Sequence, residues 1–145
     1  MRVCTIGFTK KSAREFFEAL RLAGVRKLID IRLNNRSQLA GFTKRDDLKY
    51  LAERVCDVAY FHWPDLAPTQ EMLDALKKRN GSWSEYESRF RELMQERRVV
   101  EKLERPFFDE ACCLLCSEPT PEHCHRRLVA EALQARWPDL EIVHL

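Results

Sequence analysis

The sequence predicts a three-layer α/β fold, in which a mostly parallel sheet of about five strands carries helices on both faces. Three observations lead to this prediction. Short segments of strand composition alternate with longer segments that have helical periodicity. Residues 111–116 (ACCLLC) form an unbroken apolar run, as expected of a central strand buried on both faces. Strands separated by helices of this length require right-handed crossovers, which make consecutive strands parallel.

The first half of the chain contains three predicted strands and two predicted helices. The strands are Arg2–Gly7, Lys27–Ile31 and Ala59–His62. Ser12 and Glu15 have the spacing of a capping box, and they predict a helix that ends at Gly24. Thr43 is the predicted N-cap of the second helix, and the Trp63-Pro64 pair stops the third strand.

The second half of the chain continues the alternation with longer helices. Of two helical stretches, the second is predicted over residues 83–103. The apolar run at 111–116 follows as the strand in the middle of the sheet. The Thr120-Pro121 pair then predicts the start of a helix that extends to about residue 137, and residues 142–145 form the last strand.

The composition is typical of one folded domain, which we expect to span residues 1–145. The 145 residues are 45% hydrophobic and 33% charged, which excludes a disordered chain. No apolar run is long enough to span a bilayer and no signal segment is evident, so we expect a cytoplasmic protein without membrane contact. The six cysteines are then expected as reduced thiols. The four glycines permit neither a G-x-G-x-x-G motif nor a P-loop.

Basic residues are concentrated in the first third of the chain. Residues 1–54 hold 13 Lys or Arg and 6 Asp or Glu residues, although the whole chain has a net charge of only +2. Arginine outnumbers lysine by 17 to 8, and its planar guanidinium suits phosphate and carboxylate groups. The pattern favours an anionic ligand. A nucleic acid also remains open as a partner, whether the protein is an enzyme or a non-enzymatic nucleic-acid-binding protein.

The candidate site lies where the strands end, because ligands of parallel α/β folds bind outside the carboxyl ends of the strands. Arg32, Arg36 and Arg126 would hold a phosphate-bearing or nucleotide-like ligand through paired N–H groups. The other predicted ligand-binding residues are Thr5, Gly7, Thr9, Ser37, His62 and Cys116. Four aromatic residues near the strand ends are interpreted either as core residues or as stacking partners for a base: Phe8, Phe42, Tyr60 and Trp63.

Residues 115–127 (LCSEPTPEHCHRR) concentrate the chemically active side chains. Helical spacing predicts that Cys124 and His125 point toward the sheet, that Arg126 lies near the edge of the same face, and that His123 points away. The N-terminus of this helix adds free N–H groups and a partial positive charge. The segment therefore suits an anion.

Three chemical roles are open for this segment. Glu118 is the candidate general acid or base, or else the salt-bridge partner of Arg126. Cys124, whose thiolate the helix N-terminus would favour, is the candidate nucleophile with His125 beside it, or else an unreactive core residue. Alternatively, Cys116, Cys124 and His125 bind zinc. Without that zinc site, no metal or other cofactor is expected.

Five stretches of the chain form a family pattern. They are Thr5–Thr9 (TIGFT), Leu28–Arg32 (LIDIR), Arg36–Phe42 (RSQLAGF), Tyr60–Pro64 (YFHWP) and Leu115–Arg126. The last stretch contains the signature Cys-x-Glu-x2-Pro-x2-Cys-His-Arg. On these motifs the chain resembles the domain of unknown function 488 family. The resemblance implies an α/β fold and a shared polar site, and it implies no particular reaction.

Overall fold

The fold is a parallel sheet between two layers of helices, which confirms the predicted three-layer α/β class. The computed structural model describes residues 1–36, 41–77 and 81–145, and these ranges contain five strands and six α-helices. The strands are β1 (Arg2–Gly7), β2 (Lys27–Asp30), β3 (Ala59–His62), β4 (Cys112–Cys116) and β5 (Glu141–His144). The helices are α1 (Ala13–Leu22), α2 (Arg45–Val55), α3 (Gln70–Lys77), α4 (Trp83–Arg97), α5 (Val99–Lys102) and α6 (His125–Arg136).

β4 is the middle strand of the sheet, as the apolar run predicts. The strand order is β3-β2-β4-β1-β5, and every neighbouring pair is parallel. Successive residues of β4 enter two different cores, because side chains alternate along a strand. Leu114 packs with Leu93 of α4 and Leu128 of α6, whereas Leu115 packs in the core of α1 and α2 with Phe16. Burial on both faces explains why no polar residue interrupts this strand.

The divergence of two helices determines where the carboxyl edge of the sheet opens. α2 follows β2 on one face, and α6 follows β4 on the opposite face. Such a divergence leaves a crevice at the strand ends. Between β1 and β4 the backbone closes this crevice, since the Thr9 N–H donates to the Ser117 carbonyl at 3.1 Å. The opening therefore lies between the ends of β2 and β4.

The two predicted N-caps of the first half have different outcomes. The capping box is confirmed: Ser12 Oγ accepts from the Glu15 amide at 3.1 Å, and the Glu15 carboxylate accepts from the Ser12 amide at 3.4 Å. The N-cap prediction for Thr43 is wrong. Thr43 is buried and its carbonyl accepts a hydrogen bond from Arg32 at 2.8 Å, so α2 begins only after Lys44.

The helix predicted over residues 83–103 is in fact two helices. Arg98 has a left-handed backbone with φ 53°, and its amide closes α4 by donating to the carbonyls of Met94 and Gln95. The turn places the side chain of Val99, the first residue of α5, in the core. None of the helices in the described ranges combines the length and the apolar character that a membrane span needs.

The last helix begins later than the sequence predicts. α6 starts at His125 with Cys124 as its N-cap, whereas the predicted N-cap is Thr120. Residues 121–124 form a turn instead of the first helical turn, and in it the Cys124 amide donates to the Pro121 carbonyl at 3.3 Å. Residues 117–124 therefore form an irregular segment between β4 and α6.

Candidate functional site

A cleft of about 250 Å³ opens at the carboxyl edge of the sheet, between the ends of β2 and β4. The strand ends and the start of α6 contribute Arg32, Leu33, Asn34, Cys116, Ser117, Glu118, His123, Cys124 and His125. The other side of the cleft is formed by residues of α3 and α4 and the turn before them: Pro68, Leu73, Leu76, Lys77, Trp83 and Tyr86. Arg32 and Glu118 therefore lie in one cleft although they follow different strands.

Two thiols and an imidazole meet in this cleft and form a Cys-Cys-His cluster (Cys116, Cys124 and His125). The two Sγ atoms and a ring nitrogen of His125 lie within 4.8 Å of one another, and all three residues are buried. Cys116 Sγ is 3.4 Å from Nδ1 of His125. The inward direction predicted for Cys124 and His125 is thus confirmed, and it brings both residues to the end of β4.

A backbone hydrogen bond orients the imidazole of His125. Its Nε2 lies 2.7 Å from the carbonyl oxygen of Ile31, which follows β2. A carbonyl only accepts, so Nε2 carries the proton and donates. In the neutral imidazole Nδ1 then has a free lone pair, directed at the sulfur of Cys116.

The two thiols of the cluster differ in acidity. The pKa of Cys116 lies below its usual value because Cys124 donates its S–H to it, and because the amides of Ser117 and Glu118 and the charge of Arg126 outweigh the effect of burial. The pKa of Cys124 is raised by the same thiol contact and by burial. The sequence pointed to Cys124 as the thiolate, but the structure favours Cys116, because the turn after β4 directs two backbone N–H groups at its sulfur.

Arg126 lies behind the cluster and is fully buried, not at the edge of the helix face as predicted. Its Nη1 donates to the backbone carbonyl of Glu118 and lies 3.7 Å from Cys124 Sγ. Among the described residues, its Nε and Nη2 atoms have no hydrogen-bond partner. Within the same ranges it forms no ion pair, and the Glu118 carboxylate is exposed at the cleft. Arg126 is therefore a buried cation held by a backbone carbonyl and close to the thiol of Cys124.

Gly7 makes room for this arrangement at the end of β1. A Cβ atom at this position would lie 1.6 Å from the Glu118 carbonyl oxygen and 2.7 Å from Nη1 of Arg126. Both contacts are shorter than atoms allow. Gly7, a predicted ligand-binding residue, thus allows the turn after β4 to pass over the end of β1.

Arg32 directs its guanidinium at a neighbouring carboxylate. Its Nε and Nη2 atoms each donate to Asp30 at 2.8 Å, and both residues are buried. Burial alone would raise the pKa of Asp30, but hydrogen bonds from Arg32 and Tyr60 and the charge of Arg32 hold it below its usual value. The paired N–H groups expected to bind an anion are therefore engaged by Asp30, although Nη1 of Arg32 has no partner among the residues that the structure describes.

The remaining predicted ligand-binding residues have separate environments. Thr5 is buried, and its hydroxyl lies 2.6 Å from a β5 imidazole. Thr9 and Arg36 are exposed, and Ser37 lies outside the described residues. The Nε2 atom of His62 is 3.2 Å from the Arg32 carbonyl. Among the described residues, the cleft lining includes neither the two threonines nor His62.

The sequence interpretation missed the aromatic residues of the cleft. Trp83 and Tyr86 come from α4, far from any strand end in the sequence, and His123 was predicted to point away. Trp83 stacks on Tyr86 with ring centroids 5.0 Å apart and on His123 with centroids 5.1 Å apart. The sequence feature that could have indicated these residues is the spacing of Trp83, Tyr86 and Phe90 on one helical face. The same spacing is equally typical of residues that pack in a core.

The four aromatic residues that the sequence singled out take part in packing or in buried hydrogen bonds instead. Phe8 and Phe42 belong to the core of α1 and α2, and Tyr60 donates its hydroxyl to Asp30. Trp63 packs on Phe107 with centroids 4.8 Å apart. For these four residues the structure supports the interpretation as core residues and not as stacking partners for a base.

Fold and site together define a class: a three-layer α/β protein with a Cys-Cys-His cluster in a small cleft at the carboxyl edge of its sheet. The chain belongs to the family described as Domain of unknown function DUF488, which matches residues 12–133. The match includes all three residues of the cluster, and it confirms the resemblance seen in the sequence motifs. No curated protein and no solved structure matches the chain.

Proposed function

We propose that the cleft is the active site of a zinc-dependent enzyme for a small-molecule substrate, with Cys116, Cys124 and His125 as the zinc ligands. The observation that carries this proposal is the mutual approach of the three ligand atoms within 4.8 Å. Tetrahedral zinc with ordinary bond lengths holds a sulfur and a nitrogen ligand about 3.5 Å apart. The observed Sγ–Nδ1 distance is 3.4 Å.

The surroundings of the cluster also suit a metal. Histidine ligands of zinc usually donate their other N–H to a carbonyl or carboxylate, and His125 has Ile31 in this role. Zinc binds the thiolate form of cysteine. At Cys116 that negative form is favoured by the S–H of Cys124, by two backbone amides and by the buried charge of Arg126, which together lower its pKa.

Three protein ligands are characteristic of catalytic rather than structural zinc. When bound in this way, zinc supplies a water molecule with a pKa of about 7 at its fourth position. The chain supplies Glu118, whose exposed carboxylate lines the same cleft two residues after Cys116. Such a carboxylate is suited to take a proton from an attacking water and to pass it to a leaving group.

A second candidate function uses the same residues without a metal. Here Cys116 is the nucleophile and His125 is its proton partner, as in cysteine enzymes that pair a thiol with an imidazole. The lowered pKa of Cys116 and its 3.4 Å contact with Nδ1 favour this alternative. The two functions differ in a directly measurable quantity, the metal content of the protein.

The phosphate-bearing ligand expected from the sequence draws its support from Arg32 and Lys77, which both line the cleft. Against it, the guanidinium of Arg32 binds Asp30, and Arg126 is buried behind the cluster. The cleft of about 250 Å³ also suits a small molecule better than a nucleic-acid strand. The proposal therefore specifies a small molecule, and inorganic phosphate becomes a compound to test.

The test is elemental analysis of protein purified without a histidine tag. We expect about one zinc per chain, and a loss of zinc in Cys116→Ser, Cys124→Ser and His125→Gln. Cys56→Ser is the matched control, because Cys56 is a half-buried cysteine at the end of α2 and is expected to leave the zinc content unchanged. A protein that takes up no zinc, even after incubation with it, contradicts the proposal. Rapid alkylation of Cys116 in that protein would favour the thiol mechanism.

A further inference from the structure

One side of the cleft is a column of near-parallel rings. Trp83 and His123 have ring planes 21° apart, Trp83 and Tyr86 have planes 23° apart, and Tyr86 and Phe90 have planes 2° apart. Three of these rings come from one face of α4. The fourth, His123, is exposed and lines the cleft. The column therefore runs from buried Phe90, whose ring centroid lies 5.4 Å from that of His125 in the cluster, to His123, an accessible heteroaromatic ring in the lining of the cleft.

The size and chemistry of the rest of the cleft restrict what can bind there. Its volume of about 250 Å³ lies below the roughly 300 to 1,000 Å³ of sites for drug-sized ligands, so it suits a single ring system. Leu73 and Leu76 add an apolar surface next to the rings. Ser117 and Glu118 add a hydroxyl and a carboxylate on the side of the strand ends.

We infer that the cleft binds a planar heteroaromatic compound of nucleobase size, whose ring extends the column by stacking on His123. An aromatic face gains stacking energy on any planar ring, because the two π faces pack closely. The polar edge of the ring turns toward Ser117 and Glu118, since buried polar groups require hydrogen-bond partners. This inference rests on the proposed function, because the ring is the substrate presented to the zinc ligands.

The experiment measures the binding of adenine and cytosine to the zinc-loaded protein by calorimetry and by tryptophan fluorescence. We expect both bases to bind and His123→Ala to weaken their binding about tenfold, the size of effect that loss of one stacked ring produces. His123→Phe restores a ring without the imidazole nitrogens, so it should bind nearly as well as the original chain. Trp83→Leu removes the supporting ring and should also weaken binding.

Matched controls separate stacking from other effects. Trp63→Phe alters a tryptophan that packs on Phe107 outside this cleft, and it should leave base binding unchanged. Ribose 5-phosphate and inorganic phosphate carry an anionic group without a planar ring, and we expect neither to compete with the bases. Zinc content is measured in every variant, and it should be the same in His123→Ala as in the original chain.

The outcomes distinguish this inference from the proposed function. If the zinc-loaded protein binds neither base, the inference is wrong, but the proposed zinc site is unaffected. The same conclusion follows if His123→Ala and His123→Phe bind the bases equally well. Tighter binding of ribose 5-phosphate than of either base also overturns the inference. Base binding that needs His123 in a protein that never takes up zinc supports the ring site and overturns the proposed zinc enzyme.

Discussion

Cys116 Sγ and His125 Nδ1 lie 3.4 Å apart, which joins the last residue of the central strand to the first residue of α6. The same imidazole donates from Nε2 to Ile31, just beyond β2. One side chain thus connects the ends of two strands to the start of a helix. Ile31 and His125 are 94 residues apart in the sequence, so only the tertiary fold reveals that they are in contact.

Removal of zinc should destabilise the protein. A ligand that binds only the folded state stabilises it by about 2.7 kcal/mol at a concentration 100 times its Kd. We therefore expect a chelator to lower the midpoint of thermal unfolding by several degrees and added zinc to restore it. Cys116→Ser should respond to neither addition. A chelator effect of equal size in Cys116→Ser would contradict the assignment of this residue as a ligand.

The six cysteines should differ in reactivity toward iodoacetamide. In the zinc-loaded protein we expect protection of Cys116 and Cys124. After chelation Cys116 should be modified first, because it is the more exposed of the two and has the lower pKa. Cys112 should stay unreactive until unfolding, since burial raises its pKa to about 12. Mass spectrometry of peptides identifies the modified residue. Modification of Cys112 before Cys116 would contradict the expected order.

Arg126 and Arg127 are neighbours with very different environments. Arg126 is fully buried, whereas Arg127 is half-buried and pairs with Glu87 and Glu131 near the surface. Arg126→Lys should lower the free energy of unfolding by about 2 kcal/mol, because it weakens a charged hydrogen bond to the Glu118 carbonyl. Arg127→Lys should cost less than about 1 kcal/mol. Urea unfolding measures both, and equal losses would contradict the difference in burial.

Gly7 should tolerate no larger residue. Gly7→Ala places a Cβ 1.6 Å from the Glu118 carbonyl oxygen, so the turn after β4 must move. We expect a loss of more than about 3 kcal/mol in the free energy of unfolding, together with a lower zinc affinity. Gly41→Ala is the matched control, since a Cβ there meets no atom of the described residues within 4 Å. A fully stable Gly7→Ala protein with normal zinc content would contradict the described turn.

Asp30 should contribute stability that depends on pH. Its pKa is below the ordinary value of 3.8, so the ionised form is favoured in the folded state. The contribution is fully present above about pH 4 and is lost as the pH falls through the lowered pKa. Asp30→Asn should cost about 3 kcal/mol at pH 7, because Arg32 would remain buried without its counter-charge. Denaturant unfolding at pH 7 and pH 3 measures the loss of stability in Asp30→Asn, which should be smaller at pH 3. An equal loss at both pH values would contradict the lowered pKa of Asp30.

The sequence alone predicted the parts of the fold that depend on local pattern. The apolar run at 111–116 identified the central strand because burial on both faces removes every polar residue from such a strand. The spacing of Ser12 and Glu15 predicted the first helix because a capping box is satisfied within four residues. Strand ends that meet at one edge of a parallel sheet then indicated the segment around Cys116.

Tertiary structure decided which of the candidate groups act together. Arg32 has the sequence features of an anion ligand, but the fold buries it against Asp30, and a bidentate ion pair leaves its guanidinium little freedom. Thr43 and Thr120 both have capping chemistry, yet neither caps a helix: Thr43 is buried with its carbonyl bonded to Arg32, and Thr120 is followed by a turn that delays the start of α6 to His125.

The cleft itself also depends on contacts between distant parts of the chain. Trp83 and Tyr86 reach it only because α4 packs over the strand ends, and a stripe of aromatic residues on a helix does not reveal in the sequence what it will face. The sequence by itself therefore determined the layers, the central strand and the Cys-His segment, whose signals are local. The partners of Cys116, Arg126 and Arg32 were decided by the tertiary structure, because hydrogen bonds and charge compensation depend on which atoms the folded chain brings within a few ångströms.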